Sequence, residues 1–223
     1  MTNWNQGDKQ WGLDKLGLSN VDMAQAGCYS CYCARALASY QKIVDPGTLC
    51  TALDAIGGYG SDGMLDWDAI SKLYPDCFLY DSQWTTNFPN PNTQREQILK
   101  TIADVKRRVS MGFVVGLCVA CPASLGTPNH IVACDYAPDD LGQWMIADSA
   151  YGDYVSFESR YGSPLQNLYG IRVLVGPPTQ FPSYSTPQDK EDGNAAWKAS
   201  MVYRGKDVTH IYSKEILDNI MAG

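Results

Sequence analysis

A cysteine at the start of a predicted helix constrains this chain more than any other feature. Gly27 and Cys28 lead directly into an alanine-rich run whose apolar spacing predicts a helix over residues 28–42. Backbone N–H groups at a helix N-terminus carry partial positive charge, which favours the thiolate form of a cysteine placed there. The thiolate is the reactive form. This placement therefore predicts a nucleophile, which needs a histidine base, a group that orients the base and an oxyanion donor.

The base has two candidates, since the chain of 223 residues contains only two histidines. His130 begins a predicted strand after a loop rich in Gly, Pro and Asn, so its ring can face a cleft from the edge of a sheet. His210 lies in the C-terminal tail, and we interpret it as a surface or structural residue. His130 is the predicted base, and the alternative reading is a hydrogen-bonded structural histidine.

Asp148 is the candidate for orienting the base. It lies eighteen residues after His130, at the end of a predicted return strand over residues 143–148. The far ends of a two-stranded hairpin meet, so the aspartate is expected to accept a hydrogen bond from the imidazole and fix its tautomer. The alternative is that Asp148 and Ser149 only begin a turn, which both residue types favour.

The oxyanion donor is expected upstream of the cysteine. A side-chain amide is a common partner of the nucleophile's own backbone N–H in this role. Gln6 and Gln10 are the two candidates in the polar lead-in. We prefer Gln6 because it directly precedes a Gly-Asp turn, and Gln10 is the reserve.

The order of predicted elements is typical of an α+β fold. Helices come first and a predominantly antiparallel set of strands follows from residue 113 onward. Residues 1–175 are predicted to form the domain, and residues 176–223, rich in Pro, Ser and charge, a linker and C-terminal arm with short helices. Helices are predicted over residues 28–42, 45–56 and 66–73 and after a capping box at 93–96, and strands over 77–80, 113–120, 130–136, 143–148, 154–157 and 169–175.

Charge and hydropathy exclude several classes of function. The formal net charge is −7 and no Lys/Arg cluster is present, so we expect no nucleic-acid partner. The longest apolar run, over residues 113–119, is too short to span a bilayer, and we expect no membrane association. The first residues lack a signal-peptide pattern, which predicts cytoplasmic synthesis without such a peptide.

The eight cysteines leave two further readings open. Most are expected to be reduced thiols buried as small apolar groups, and we expect no cofactor or metal. The pairs Cys28/Cys31 and Cys118/Cys121 nevertheless resemble a split zinc site, and the first pair alone resembles a redox dithiol. Against zinc, Cys118 lies inside an apolar strand-like run and its pair lacks the usual turn glycine.

Taken in order, these motifs resemble papain-like cysteine peptidases of the bacteriocin-processing, double-glycine leader type, and most of all their stand-alone relatives in bacteria and phages. The resemblance covers residues 4–175. It rests on Gln6-Gly7-Asp8, Trp11, Leu16-Gly17, Ala26-Gly27-Cys28, Ala34, Leu37, Asn129-His130-Ile131-Val132 and Ala147-Asp148-Ser149-Ala150-Tyr151-Gly152. Two places differ from the family pattern: Tyr29, Ser30 and Cys31 follow the cysteine where small residues are usual, and Ser149 stands where proline is common.

The resemblance implies a papain-like fold, in which the nucleophile helix of a helical N-terminal half packs on a C-terminal antiparallel sheet. It also implies the functional set Gln6, Cys28, His130 and Asp148. The expected activity is that of a cysteine peptidase or amidase that acts on bacterial cell-wall peptides, as a phage or bacterial lytic enzyme carried in a virion or released at lysis. Residues 176–223 are the candidate region for docking to a virion or other protein partner.

Two other classes of function remain alternatives. The chain is either a virion structural or interaction protein on a papain-like scaffold, or a zinc-binding module that uses its cysteines. The complete set of nucleophile, base, orienting acid and amide favours the enzyme.

Overall fold

The computed structural model describes residues 3–84, 95–119 and 130–176, in which helices precede an antiparallel sheet and confirm the α+β class. The helices are α1 (Met23–Ala26), α2 (Cys28–Ser39), α3 (Pro46–Ala55), α4 (Trp67–Leu73), α5 (Arg95–Ser110), α6 (Phe157–Tyr161) and α7 (Pro164–Asn167). The strands are β1 (Phe78–Trp84), β2 (Val115–Val119), β3 (His130–Tyr136), β4 (Met145–Asp148), β5 (Asp153–Ser156) and β6 (Leu168–Val175).

Several helices begin where the sequence predicts them to begin. Asp45 caps α3 by accepting a hydrogen bond from the backbone N–H of Thr48 at 2.8 Å, and Pro46 takes the first helical position. Asp66 caps α4 in the same way. The predicted capping box at residues 93–96 lies partly outside the described residues, and α5 begins at Arg95.

The sheet has six strands in the order β1-β6-β2-β3-β4-β5, and every neighbouring pair is antiparallel. The central strand β2 is buried along its whole length, as its continuous apolar sequence predicts. Helix α2 packs on β3 and β6. The cysteine-bearing helix therefore lies against the strand that begins with His130.

Close packing fixes α2 on the sheet. A side chain at Gly116 of β2 would place its Cβ 3.0 Å from the Tyr32 ring of α2, so glycine permits this approach. The Tyr32 hydroxyl donates to the Arg172 carbonyl at 2.8 Å and accepts from the Leu174 N–H at 3.0 Å, both on β6. These buried contacts set the position of the helix that carries the cysteine.

The structure differs from the predicted elements mainly at short segments. Strand β1 continues to residue 84, beyond the predicted 77–80, because it pairs with β6 along its length. Helix α2 ends at Ser39 rather than residue 42. Short helices α1, α6 and α7 have no counterpart in the prediction, since helices of four or five residues leave little apolar periodicity. No helix in the described ranges is long and apolar enough to cross a membrane.

Candidate active site

Cys28 is the first residue of α2, and a tight junction with α1 sets its place. Only Gly27 separates the two helices, and its N–H donates to the Met23 carbonyl at 2.8 Å. A Cβ at Gly27 would lie 2.5 Å from that carbonyl oxygen and 2.8 Å from the Met23 sulfur. Glycine at position 27 is therefore a packing requirement of the junction. The Cys28 side chain is nearly enclosed, with 5% exposure.

His130 and Asp148 are in direct contact. Nε2 of His130 lies 2.8 Å from Oδ1 of Asp148, and both side chains are buried. The hairpin of β3 and β4 produces this contact, since Ala133 pairs with Ala147 and brings the start of one strand beside the end of the other. The pairing is the one expected from the eighteen-residue spacing.

The Cys28 thiol is also close enough to His130 to help raise the pKa of the imidazole. Because Nε2 faces Asp148, Nδ1 is the ring nitrogen that remains for the thiol. Burial alone would lower the pKa of His130, but its hydrogen bonds with Asp148 and Cys28 outweigh burial and raise that pKa from 6.5 to about 10. The arrangement thus favours an imidazolium between a sulfur and a carboxylate.

The Asp148 carboxylate has three hydrogen-bond donors. Besides His130, the Tyr161 hydroxyl donates to Oδ2 at 2.7 Å and the Ala150 N–H donates to Oδ1 at 3.1 Å. Burial would raise the pKa of Asp148, but the hydrogen bond and charge of His130, with the other two donors, hold that pKa below its usual value. The sequence does not point to Tyr161, because α6 is too short to be predicted.

Gln6, rather than Gln10, is built into the site. Gln6 is 4% exposed, whereas Gln10 lies exposed at the surface. Nε2 of Gln6 donates to the Ala24 carbonyl at 2.9 Å, and its Oε1 accepts a hydrogen bond from the Ser149 hydroxyl at 3.1 Å. An amide nitrogen carries two hydrogens, so one remains for a substrate oxygen. Gln6 is anchored both to α1, beside the cysteine, and to the residue after Asp148.

A buried arginine joins the segments that carry these side chains. Arg35 of α2 is 4% exposed. Its guanidinium donates to the side-chain oxygen of Asn3 at 3.0 Å and to Asp135 at 2.6 Å. Asn3 belongs to the lead-in with Gln6, and Asp135 belongs to β3 with His130. The apolar spacing behind Cys28 predicts Arg35 on the outward face of the helix, and its burial shows that this prediction is wrong.

The other cysteines near the site are buried, neutral thiols. Burial raises the pKa of Cys31 and Cys33, and raises that of Cys118 to about 12. Within the described ranges, no group of three or more His, Cys, Asp or Glu side chains could hold a metal ion. Cys121, the fourth member of the zinc alternative, lies outside those ranges, as does His210.

A small cavity lies beside the site but is not a substrate pocket. Its volume is about 10 Å³, room for a single water molecule. It is lined by Trp4, Cys31, Tyr32, Arg35, Ile131, Ala133, Ala147 and Ser149. The cavity is therefore too small to hold a peptide.

Comparison of the chain with protein-family models, with curated proteins and with solved structures found no match. The function of the site therefore has to follow from its own residues. A thiol, an imidazole and a carboxylate in series, with an anchored amide nearby, form a set that can carry out nucleophilic acyl transfer.

Proposed function

We propose that this protein is a papain-like cysteine hydrolase of peptide or amide bonds. The observation that carries the proposal is the buried contact of 2.8 Å between His130 and the Asp148 carboxylate, with the Cys28 thiol near enough to raise the pKa of His130. Burying an ionised pair is costly unless geometry and further hydrogen bonds compensate. Here three donors satisfy the carboxylate, so the pair can stay ionised while buried.

The proposed reaction has two steps. The Cys28 thiolate attacks the scissile carbonyl, and the His130 imidazolium protonates the departing amine, which leaves a thioester on the enzyme. Water then attacks the thioester, with the neutral His130 as general base, and the acid product and the thiol are released. Asp148 keeps the imidazole in the tautomer and orientation that both steps need.

The oxyanion formed in each step needs donors. The second N–H of the Gln6 amide and the backbone N–H of Cys28, the first of α2, are the proposed pair. Both are held before substrate binds, Gln6 through Ala24 and Ser149 and Cys28 through the start of its helix. Donors fixed in this way need no reorganisation as charge develops.

The proposed substrates are bacterial cell-wall peptides, and the proposed context is a phage or bacterial lytic enzyme made in the cytoplasm and carried in a virion or released at lysis. The resemblance to stand-alone relatives of bacteriocin-processing peptidases supports this choice. The net charge of −7 offers no general attraction to an anionic wall. Targeting is therefore assigned to a partner that docks through residues 176–223.

Selective alkylation tests the proposed chemistry without a known substrate. A free thiol with a pKa near 8.5 is only about 0.3% thiolate at pH 6 and reacts slowly with iodoacetamide. We expect fast modification of Cys28 alone, located by peptide mass analysis, and its loss in Cys28→Ala. Glutathione treated in parallel gives the reference rate. Labelling of Cys28 no faster than glutathione would overturn the proposal and favour an interaction protein.

Digestion then identifies the substrate. Purified peptidoglycan and a peptide library are incubated with the protein and with Cys28→Ala, and the products are analysed by mass. New amine and carboxylate ends in the wild-type reaction alone are expected from peptidoglycan. Cleavage of library peptides without any cleavage of peptidoglycan would retain the hydrolase and reject the cell-wall substrate.

A further inference from the structure

Tyr161 contacts the proposed catalytic aspartate, Asp148, although none of the predicted motifs contains this tyrosine. It is the last residue of α6, a short helix capped by Ser156 at the end of β5, and Gly162 follows with a φ of +74°. Its ring packs on Phe157, with centroids 5.6 Å apart, and lies 6.5 Å from the His130 ring. The tyrosine therefore lies beside both members of the His130–Asp148 pair.

Its hydroxyl contacts the carboxylate oxygen that the imidazole does not use. Tyr161 donates to Oδ2 of Asp148 at 2.7 Å, while His130 and the Ala150 N–H occupy Oδ1. With donors on both oxygens, the carboxylate cannot rotate about its terminal bond without breaking a hydrogen bond. The plane of the carboxylate, and with it the direction of the bond to His130, is held from two sides.

We propose that Tyr161 is a positioning residue of this active site, which holds the Asp148 carboxylate in the orientation that its bond to His130 requires. This role rests on the proposed function, because it matters only if His130 is the base. The Tyr161 hydroxyl donates to Asp148, so we assign it a role that acts through the carboxylate. Its removal should weaken the His130–Asp148 bond and leave substrate contacts intact.

The charges around Asp148 give the role a measurable signature. The groups that face it are His130 from β3, the Tyr161 hydroxyl and the guanidinium of Arg160 from α6, and Cys28 lies beyond His130. Arg160 forms an ion pair with Asp153. Replacing the Tyr161 hydroxyl removes one donor that stabilises the carboxylate, so the pKa of Asp148 should rise. As the pH falls, the Asp148 carboxylate is then protonated, and stops pairing with the His130 imidazolium, at a higher pH than in the wild type.

The test is the pH profile of Cys28 alkylation by iodoacetamide, measured from pH 3 to 9 in wild type and Tyr161→Phe. In the variant we expect a roughly tenfold lower rate constant at the plateau, the size of one hydrogen bond to a charged group. We also expect the acid limb of the profile to move by about half to one pH unit toward neutrality. Once digestion has supplied a peptide substrate, kcat should fall while KM stays the same.

Tyr40→Phe is the matched control. The Tyr40 hydroxyl donates to the Leu174 carbonyl at 2.8 Å, so this variant also loses one tyrosine hydrogen bond, but at a place without contact to the triad. A smaller folded fraction would scale the whole profile without moving its limb, and circular dichroism at each pH monitors the fold. We expect the Tyr40→Phe profile to coincide with that of the wild type.

The outcomes separate the two proposals. An acid limb in Tyr161→Phe that stays with the wild type and with Tyr40→Phe would overturn the role of Tyr161 and leave the proposed function standing. A wild-type protein that reacts no faster than glutathione would overturn the proposed function and, with it, the positioning role. A shifted limb in Tyr161→Phe alone supports both.

Discussion

The hydroxyl of Ser149 donates a hydrogen bond to Oε1 of Gln6 at 3.1 Å, and the backbone N–H of Gln6 donates to the Ser149 carbonyl at 2.9 Å. This double contact joins the lead-in to the end of β4. It also decides how the glutamine amide is oriented, because a hydroxyl that donates to Oε1 directs the NH₂ group the other way, toward Ala24. The residue after the aspartate therefore connects the proposed triad to the proposed oxyanion donor.

Replacing Ser149 should impair the oxyanion donor without changing substrate affinity. In Ser149→Ala the amide loses the contact that fixes its orientation, and we expect kcat to fall about tenfold with KM unchanged. Ser149→Thr retains a hydroxyl and should keep most of the activity. Gln6→Ala removes the donor itself and should cost about 10²–10³ in kcat. Steady-state kinetics on the peptide identified by digestion measures all three, and a fully active Ser149→Ala would refute the link.

Alanine substitutions of Cys28 and of the two histidines test their proposed roles in turnover directly. Cys28→Ala should abolish turnover and His130→Ala should do nearly the same, because each removes a group that takes part in both steps of the proposed reaction. His210→Ala should retain activity. Circular dichroism spectra that match the wild type show that the fold is kept. Activity retained by Cys28→Ala, or lost in His210→Ala, would contradict the assignment.

The parts of the site that follow from local rules could be predicted from the sequence. The contact between His130 and Asp148 depends on a hairpin, and strand alternation and spacing alone indicate it. The Gly-Asp turn after Gln6 favours it over Gln10, and Gln6 is the one that is buried. Cys28 at the start of α2 follows from the Gly-Cys pair and the apolar spacing behind it.

The contacts of Ser149 with Gln6 and of Arg35 with Asp135 could not be predicted, because they join residues 143 and 100 positions apart in the chain. The contact of Tyr161 could not be predicted because α6 is too short to leave an apolar period.

Contacts within the helical half also explain why Tyr29 and Ser30 follow Cys28, where the papain-like pattern has small residues. Tyr29 packs edge-on against Trp67, with ring centroids 5.4 Å apart, and the Ser30 hydroxyl lies 3.0 Å from that of Tyr59. These side chains point into the core of the helical half, so their size is matched by partners there.

The raised pKa of His130 predicts a loss of stability at alkaline pH. Its folded-state pKa of about 10 lies above the ordinary 6.5. The contribution of His130 to the free energy of unfolding is therefore fully present below pH 6.5 and is lost as the pH rises to about 10. Asp148 acts in the opposite direction, since its pKa is lowered and its contribution is lost as the pH falls below the ordinary 3.8.

Urea unfolding at pH 6, 8 and 10 measures this effect. Wild type should lose stability across the series, and His130→Gln, which has no titrating ring, should lose less. The difference between the two proteins isolates His130 from the cysteines and tyrosines that titrate in the same range. Equal slopes in the two proteins would contradict the raised pKa of His130.

The ion pair of Arg35 and Asp135 should stabilise the fold and align the site at once. The two side chains meet at 2.6 Å, and Arg35 also holds Asn3. Arg35→Met leaves Asp135 without its cation. Since that carboxylate is 18% exposed, we expect a loss of about 2–4 kcal/mol in the free energy of unfolding, somewhat below the cost at a fully buried pair.

A double-mutant cycle with Asp135→Asn tests whether the loss comes from the stranded carboxylate. The double variant should be more stable than the sum of the two single losses predicts, because no unpaired charge remains in it. Cys28 alkylation on the same proteins reports alignment. Since Arg35 connects the lead-in, α2 and β3, all variants that lack it should react more slowly, including the double variant that regains stability. Additive losses in stability would show that the arginine does not pair with Asp135 as the geometry indicates. A wild-type alkylation rate in Arg35→Met would show that the arginine does not align Cys28 with His130.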